Sequence, residues 1–330
     1  MPNSAAPANA LADLRPSLPP LPFLAAPGYG ATDAWVAALQ AAMPDERIVP
    51  FSALSPADQA AVTVAIVANP DPAELAACPN LVWLHSVWAG VERLLAEMQD
   101  SQVHIVRLVD PRLAATMAEA VLAWVLYLHR DMPRYLQQQK EQRWQPQAYR
   151  PAAQRRIGLL GLGALGEAAA RSLQQAGFPV LGWSRTQKHL DGVDCYSGEA
   201  GLSAMLAQTD ILVCLLPLTA ATTGLINAQR LAMLPAGASL INFARGPIVV
   251  EQDLRAALDA AHLQHAVLDV FAVEPLPPDS WQWTHPAVTV LPHCSAPTDK
   301  ESAAQIVAGN LKRYREQGLL PKGVDRQQAY

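Results

Sequence analysis

Residues 156–166 read RIGLLGLGALG, an apolar run that turns through Gly161, Gly163 and Gly166 into the helix-like EAAARSLQQAG of 167–177. Strand, tight turn and helix follow within about twenty residues, and each glycine has a separate task. The first permits the turn, the second lets backbone approach a pyrophosphate, and the third allows helix and strand to pack closely. Ala164 and Leu165 complete the turn. Free amides and the dipole at the helix start favour a phosphate anion, so this stretch predicts a dinucleotide site in an α/β domain.

Working outward, PVLGWSR, ILVCLLPL, ASLINFARG, HAVLDVF and VTVLPH continue the pattern of short apolar strands separated by helix-like or turn segments. With RIGLL they make six strands, enough for one Rossmann-type domain. Upstream, LPFLA, ERIVPF, VTVAIVAN, LVWLHS and HIVRLV read as strands of another parallel sheet, with helices over TDAWVAALQAAM and DPAELAA. This first unit closes near Val109. The stretch PRLAATMAEAVLAWVLYLHRDMPRYLQQQ, dense in Ala, Leu and Met, predicts one long helix that is buried either as an interdomain core or as a subunit interface. TDKESAAQIVAGNLKRYREQG predicts an amphipathic helix that ends at a glycine and packs back on the first unit.

The 330 residues exceed what one core usually supports, so two domains are expected. A hydrophobic fraction of 51% and a charged fraction of 16% describe a well-buried globular protein. The net charge of −5, with no Lys/Arg-rich run, argues against a nucleic-acid partner. The Pro-rich opening MPNSAAPANALADLRPSLPP lacks a signal-peptide pattern, and apolar runs such as AAVTVAIVA are too short to span a bilayer, so a cytoplasmic protein without a membrane partner is expected. Cys78, Cys195, Cys214 and Cys294 are widely spaced, which predicts reduced, mostly buried thiols and no metal site.

Three ionisable residues stand in fixed order after the glycine turn: Arg245 in NFARG, Glu274 in LDVFAVEP and His293 in LPHCSA. An arginine can grip a carboxylate with two hydrogen bonds, a histidine can exchange a proton near neutral pH, and a glutamate beside it can tune that exchange. Together with a nicotinamide cofactor they describe reduction of a 2-keto acid. His285 is the rival histidine, but it precedes the strand VTVLP, and ligands bind beyond the carboxyl ends of such strands.

An NAD site usually ends its second strand in an acid that takes the ribose 2′-hydroxyl. Here that strand ends in Ser184, eighteen residues past Gly166, followed by Arg185 and Thr186. Two hydroxyls and a guanidinium suit a 2′-phosphate, so NADP(H) is the preferred cofactor, with NAD(H) the other that the fold admits.

The ordered set GLGALG, LLPLTAATTGLI, LINFARGPIVVE, LDVFAVEPLPP and VTVLPHCSA resembles the successive signatures of the D-isomer-specific 2-hydroxyacid dehydrogenases, from about Leu81 to the C-terminus. Through GFPVLGWSRT, EPLPPDS and the ending GVDRQQAY it is most similar to the glyoxylate/hydroxypyruvate reductase A type. The resemblance implies an α/β chain of two Rossmann-like domains, one flavodoxin-like and one dinucleotide-binding, with parallel sheets and an interdomain active-site cleft. Residues 1–109 and 297–330 would form the discontinuous substrate-binding domain, and 110–296 the NADP-binding domain with a helix that pairs subunits as a homodimer. It gives Arg245 the substrate carboxylate, His293 the proton and Glu274 the charge partner of the histidine. Leu216, Pro217, Leu218, Phe243, Ala244 and Asp269 fall at cofactor positions, Asp269 near the nicotinamide carboxamide. In HSVWAGVE, Trp88, Ala89 and Gly90 match the substrate loop; Trp88 replaces a commoner glycine, and its bulk would favour small substrates. Trp283 matches a pocket-lining tryptophan.

The activity so implied is reduction of glyoxylate to glycolate or of hydroxypyruvate to glycerate. The rival readings are a dehydrogenase of a larger 2-keto acid and a non-catalytic NAD(P)-sensing protein of the same fold.

Overall fold

The computed structural model describes residues 19–326, so most of the Pro-rich opening and the last four residues of GVDRQQAY lie outside the described residues. The chain divides into two compact units, one running to Leu108 and resuming over Lys300–Val324, the other spanning Val109–Asp299.

In the first unit the strands are β1 (Leu21–Ala25), β2 (Ile48–Pro50), β3 (Val64–Ala68), β4 (Trp83–Ser86) and β5 (His104–Val106). Between them run α1 (Thr32–Ala42), α2 (Pro56–Ala61), α3 (Pro72–Ala76) and α4 (Glu92–Glu97). All pairs are parallel, in the order β2-β1-β3-β4-β5, the flavodoxin-like arrangement. β3 is buried along its whole length, as a central strand covered on both faces must be. Ser55 and Asp71 cap α2 and α3 by accepting from Asp58 N and Ala73 N, each followed by a proline whose missing N–H costs a helix start nothing.

The second unit opens on α5 (Pro111–His129) and α6 (Met132–Lys140). It continues with β6 (Ile157–Leu160), α7 (Ala164–Gln175), β7 (Val180–Ser184), β8 (Val193–Ser197), α8 (Gly198–Leu206) and β9 (Ile211–Cys214). α9 (Ala228–Met233), β10 (Ala238–Asn242), α10 (Glu251–Asp259), β11 (Leu263–Leu268) and β12 (Val288–Val290) complete it. The parallel sheet runs β12-β11-β10-β9-β6-β7-β8, a Rossmann order whose direction reverses at β6 and β9. The last helix, α11 (Lys300–Gln317), belongs to the first unit and buries Ala303, Ala304, Val307 and Leu311 among Leu21, Trp35 and Ile66. It ends at Gly318, whose φ of +66° suits glycine.

Four expectations need correction. The sheet has seven strands rather than six, because β8 is a partly exposed edge strand of sequence VDCYS with no apolar run to mark it. The single long helix is two, broken at Asp131, which sits at φ +54°, with Pro133 in the first turn of α6. Among the described residues one helix, Pro111–His129, is long and apolar enough to cross a membrane, contrary to the expectation that every apolar run is too short. Its Met117, Val121, Val125 and Leu128 are instead buried against Ala169, Ala170 and Leu173 of α7, although Leu126 stays 39% exposed. All four cysteines are free, but only Cys78 and Cys214 are buried, while Cys294 is exposed.

Two buried imidazoles tie stability to pH. Burial pushes His85 and His265 down to about 4, against an ordinary value of 6.5. His85 is held by Ser86 O at 2.8 Å and Asn310 Nδ2 at 2.9 Å. The unfolded chain therefore binds more protons between those two pH values, so stability is full above pH 6.5 and falls as pH drops toward 4. For His85, with no exposed surface, the fall should be on the order of 3 kcal/mol. Urea-unfolding midpoints measured across this range should decline, and His85→Gln should flatten the decline; an unchanged slope would refute the assignment.

Candidate active site

The cofactor cradle begins with close approaches that only glycine allows. Gly161 has φ +106°, and a Cβ there would lie 2.9 Å from Leu215 O. At Gly166 a Cβ would lie 1.9 Å from Gly161 O, so α7 starts pressed against the turn. Leu216, directly beyond β9, borders the same turn and is buried. Pro217 O accepts from Thr222 Oγ1 at 2.7 Å, which fixes the Leu216–Pro217–Leu218 segment.

Ser184 ends β7, and its hydroxyl donates to Thr186 O at 2.7 Å, so the Ser184–Thr186 turn is preset. Arg185 is exposed. Sequence reasoning missed Lys188, whose Nζ donates to Leu162 O inside the glycine turn and pairs with Glu167 Oε1 at 3.2 Å. A second cation, four residues after Ser184 in SRTQK, was the available signal.

The ionisable trio stands at the carboxyl ends of three neighbouring strands. After β10, the buried Asn242 brackets the turn: its Oδ1 accepts from Ala244 N at 3.2 Å, and its Nδ2 donates to Arg245 O at 3.0 Å. Asn242 too was missed, since an amide inside an apolar strand looked like strand. Phe243 N donates to Cys214 O at 3.2 Å, and Arg245 Nη1 donates to Ala244 O at 2.6 Å. A Cβ on Gly246 would lie 2.1 Å from the carbonyl carbon of Phe271. Glycine thereby lets the arginine turn abut the backbone leading to Glu274.

Glu274 Oε1 accepts from Phe271 N at 2.8 Å, and Oε2 lies 2.7 Å from His293 Nδ1. One carboxylate thus ties its own loop to the imidazole, and a carboxylate acceptor places the proton on Nδ1, leaving Nε2 for exchange with a reactant. His293 sits beyond β12 at φ +52°, a costly conformation for a residue with a Cβ. It is held by Asp269: Asp269 O accepts from His293 N at 3.0 Å, and its buried carboxylate takes Cys294 N at 2.8 Å and Ser295 N at 3.0 Å. Both carboxylate oxygens of Asp269 therefore anchor the histidine loop, a role the sequence did not reveal. Cys294, though exposed, is a poor nucleophile, since partial desolvation and then the Asp269 carboxylate push its thiol up. His285 lies before β12, 3.2 Å from Asp259 Oδ1 and edge-on to Trp281.

Glu274 and His293 are thus in contact, with Asp269 and the Arg245 turn on adjacent strands. Trp283, 52% exposed, donates from Nε1 to Pro277 O at 2.9 Å. Trp88, Ala89 and Gly90 belong to the other unit and follow β4. There Ser86 Oγ accepts from Trp88 N at 3.0 Å, and Leu108 N donates to Trp88 O at 3.1 Å. Among the described residues no group of three His, Cys, Asp or Glu could hold a metal ion.

A chain with a Rossmann sheet, a glycine cradle and an Arg/Glu/His set at its strand ends has the makings of a nicotinamide-dependent oxidoreductase. The sequence model of the D-isomer specific 2-hydroxyacid dehydrogenase NAD binding domain matches residues 122–295. A D-isomer specific 2-hydroxyacid dehydrogenase from Xanthobacter autotrophicus Py2, solved with NADPH and MES, is 41% identical over 94% of this chain and 99% of its own, with a TM-score of 0.87. The NADPH-dependent glyoxylate/hydroxypyruvate reductase of Sinorhizobium meliloti, solved with NADP and sulfate, is 34% identical over 94% and 99%, with a TM-score of 0.86. A probable 2-hydroxyacid dehydrogenase from Rhizobium etli CFN 42, solved with NADP, HEPES and tartaric acid, is 30% identical over 95% and 100%, with a TM-score of 0.84. The chain belongs to the D-isomer-specific 2-hydroxyacid dehydrogenases, NAD(P)-dependent enzymes.

Proposed function

We propose that the protein reduces a small 2-keto acid with NADPH, taking glyoxylate to glycolate or hydroxypyruvate to glycerate. The observation that carries this reading is the 2.7 Å pair of Glu274 Oε2 and His293 Nδ1 at the ligand-binding end of the dinucleotide sheet. NADPH, when bound, supplies the hydride that reaches the keto carbon. His293 Nε2 gives the proton to the developing alkoxide, so that C=O becomes CH–OH. Glu274 orients the imidazole and balances its charge. Arg245 grips the substrate carboxylate and polarises the keto oxygen. Asp269, Phe243 and Ala244, with Leu216, Pro217 and Leu218, line the nicotinamide end. Residues 1–109 and 297–330 serve as the substrate-binding domain and 110–296 as the cofactor domain; in the loop Trp88, Ala89 and Gly90 the amides of Ala89 and Gly90 serve the carboxylate while Ser86 Oγ holds the Trp88 N–H, and the bulk of Trp88 and Trp283 favours short substrates.

The choice of NADPH rests on Ser184, Arg185 and Thr186 standing where an acid would repel a 2′-phosphate, with the Lys188 ammonium close to the turn. The NADPH and NADP bound in the Xanthobacter, Sinorhizobium and Rhizobium relatives support it. Arg185→Ala should lower kcat/KM for NADPH by about 10- to 100-fold, the worth of a charge-assisted hydrogen bond or two, while leaving NADH nearly unaffected. Steady-state kinetics with both cofactors would check this; equal use of NADH and NADPH by the unaltered enzyme would remove the role of Arg185.

The same reading pairs two copies through α5, α6 and the segment after them. Leu126, Leu136, Tyr149 and Trp144, exposed by 39%, 49%, 67% and 100%, cluster within 24 residues. Exposed apolar side chains concentrated in this stretch support the pairing. Sedimentation should give a dimer, and Leu126→Glu with Leu136→Glu should give a monomer; a monomeric unaltered protein would exclude the pairing.

A further inference from the structure

The aromatic residue beside Trp88 is Tyr29, which sits between Gly28 and Gly30 in the loop leaving β1. Its ring meets the Trp88 ring edge-on, with centroids 5.9 Å apart and planes at 78°. This is the favoured geometry for an aromatic pair. The Tyr29 hydroxyl accepts from Nε1 of Trp35 at 3.0 Å, and Trp35 is buried and stacked on Phe23 with centroids 6.1 Å apart. The Tyr29 backbone is pinned as well, since its N donates to Ala26 O at 3.0 Å and its O accepts from Thr32 Oγ1 at 3.1 Å. A line of rings, Phe23, Trp35, Tyr29 and Trp88, therefore runs from the core of the first unit to the loop after β4.

The Trp88 backbone is fixed at both its N–H and its carbonyl, so the freedom that remains is rotation of its side chain. Trp88 also packs against the core of this unit, and Tyr29 adds the ring contact that favours one of those rotamers. From this geometry we infer that Tyr29 is a positioning residue for substrate selection: it holds the Trp88 ring in one orientation and thereby sets the chain length of the 2-keto acid accepted. The inference rests on the reading of Trp88 as part of the substrate loop. A glycine at position 88 would give Tyr29 nothing to hold, so the pair acts as one device.

The test compares kcat/KM for glyoxylate with that for phenylpyruvate in Tyr29→Ala, Tyr29→Leu, Tyr29→Phe, Trp88→Ala and the Tyr29→Ala/Trp88→Ala double variant. Tyr29→Ala should shift the ratio toward phenylpyruvate by about tenfold, the scale of a lost aromatic pair. Tyr29→Leu, which keeps bulk without the ring edge, should shift it in the same direction if Tyr29→Ala does not fold. Tyr29→Phe keeps the pair and should keep the ratio. The double variant should shift the ratio no further than Trp88→Ala alone, because the two residues act through one ring. An unchanged ratio in both Tyr29→Ala and Tyr29→Leu, while Trp88→Ala shifts it, would overturn the role of Tyr29 and leave the loop reading standing. An unchanged ratio in Trp88→Ala would overturn the loop reading itself, and the inference with it.

Discussion

Replacing His293 by Asn should lower kcat for 2-keto acid reduction by about 10²- to 10⁴-fold, the usual worth of a positioned general acid. Asn presents an amide that cannot donate a proton to a forming alkoxide, yet its size suits the loop. The dissociation constant for NADPH, measured by fluorescence titration, should stay within about threefold, because the glycine cradle and the Ser184–Thr186 turn are on other strands. A His293→Asn enzyme that kept full kcat would move the acid elsewhere. Such a result would leave the 2.7 Å contact with Glu274 as a structural pair only.

Arg245→Ala should raise KM and lower kcat together. In the proposed reaction the guanidinium serves the substrate carboxylate in the ground state and the keto oxygen as charge develops, so its removal should cost uniform binding and transition-state binding at once. Two charge-assisted hydrogen bonds at about 1.5–3 kcal/mol each put the loss in kcat/KM at roughly 10²- to 10⁴-fold. Arg245→Lys should recover only part of it, since an ammonium cannot reproduce the planar fork. Steady-state kinetics with glyoxylate decides the matter: a change confined to KM would restrict Arg245 to binding, and no change would take it out of the site.

Much of this was legible in the sequence for a physical reason. Central parallel strands are buried on both faces, so β3, β6 and β9 are continuous apolar runs that announce themselves. The glycine turn was equally legible, because the approach of Gly166 to Gly161 O admits no side chain. What escaped notice lacked such a local signature. β8 is partly exposed at an edge and has no apolar run, and the break between α5 and α6 hangs on one residue, Asp131, adopting a left-handed conformation. Within the candidate site, Arg245, Glu274 and His293 stood out because their ionisable side chains interrupt or end apolar runs. Asp269 and Asn242 could be seen as residues but not as clamps. Asp269 accepts from a backbone amide twenty-five residues away that only the fold brings to it, and Asn242 closes a local turn on the amide two residues on and the carbonyl three residues on. Lys188 escaped for a related reason, as its partner Leu162 O is a backbone atom across the turn.

In the proposed reaction the strand-end trio and the glycine cradle together reduce a short 2-keto acid with NADPH. The most direct test of this claim is the loss of reduced-nicotinamide absorbance when the purified protein is mixed with glyoxylate, hydroxypyruvate or phenylpyruvate and each cofactor in turn. The expected result is turnover of glyoxylate and hydroxypyruvate, faster with NADPH than with NADH and slowest with phenylpyruvate. Tight NADPH binding with no turnover of any 2-keto acid would contradict the claim and favour a nucleotide-sensing role.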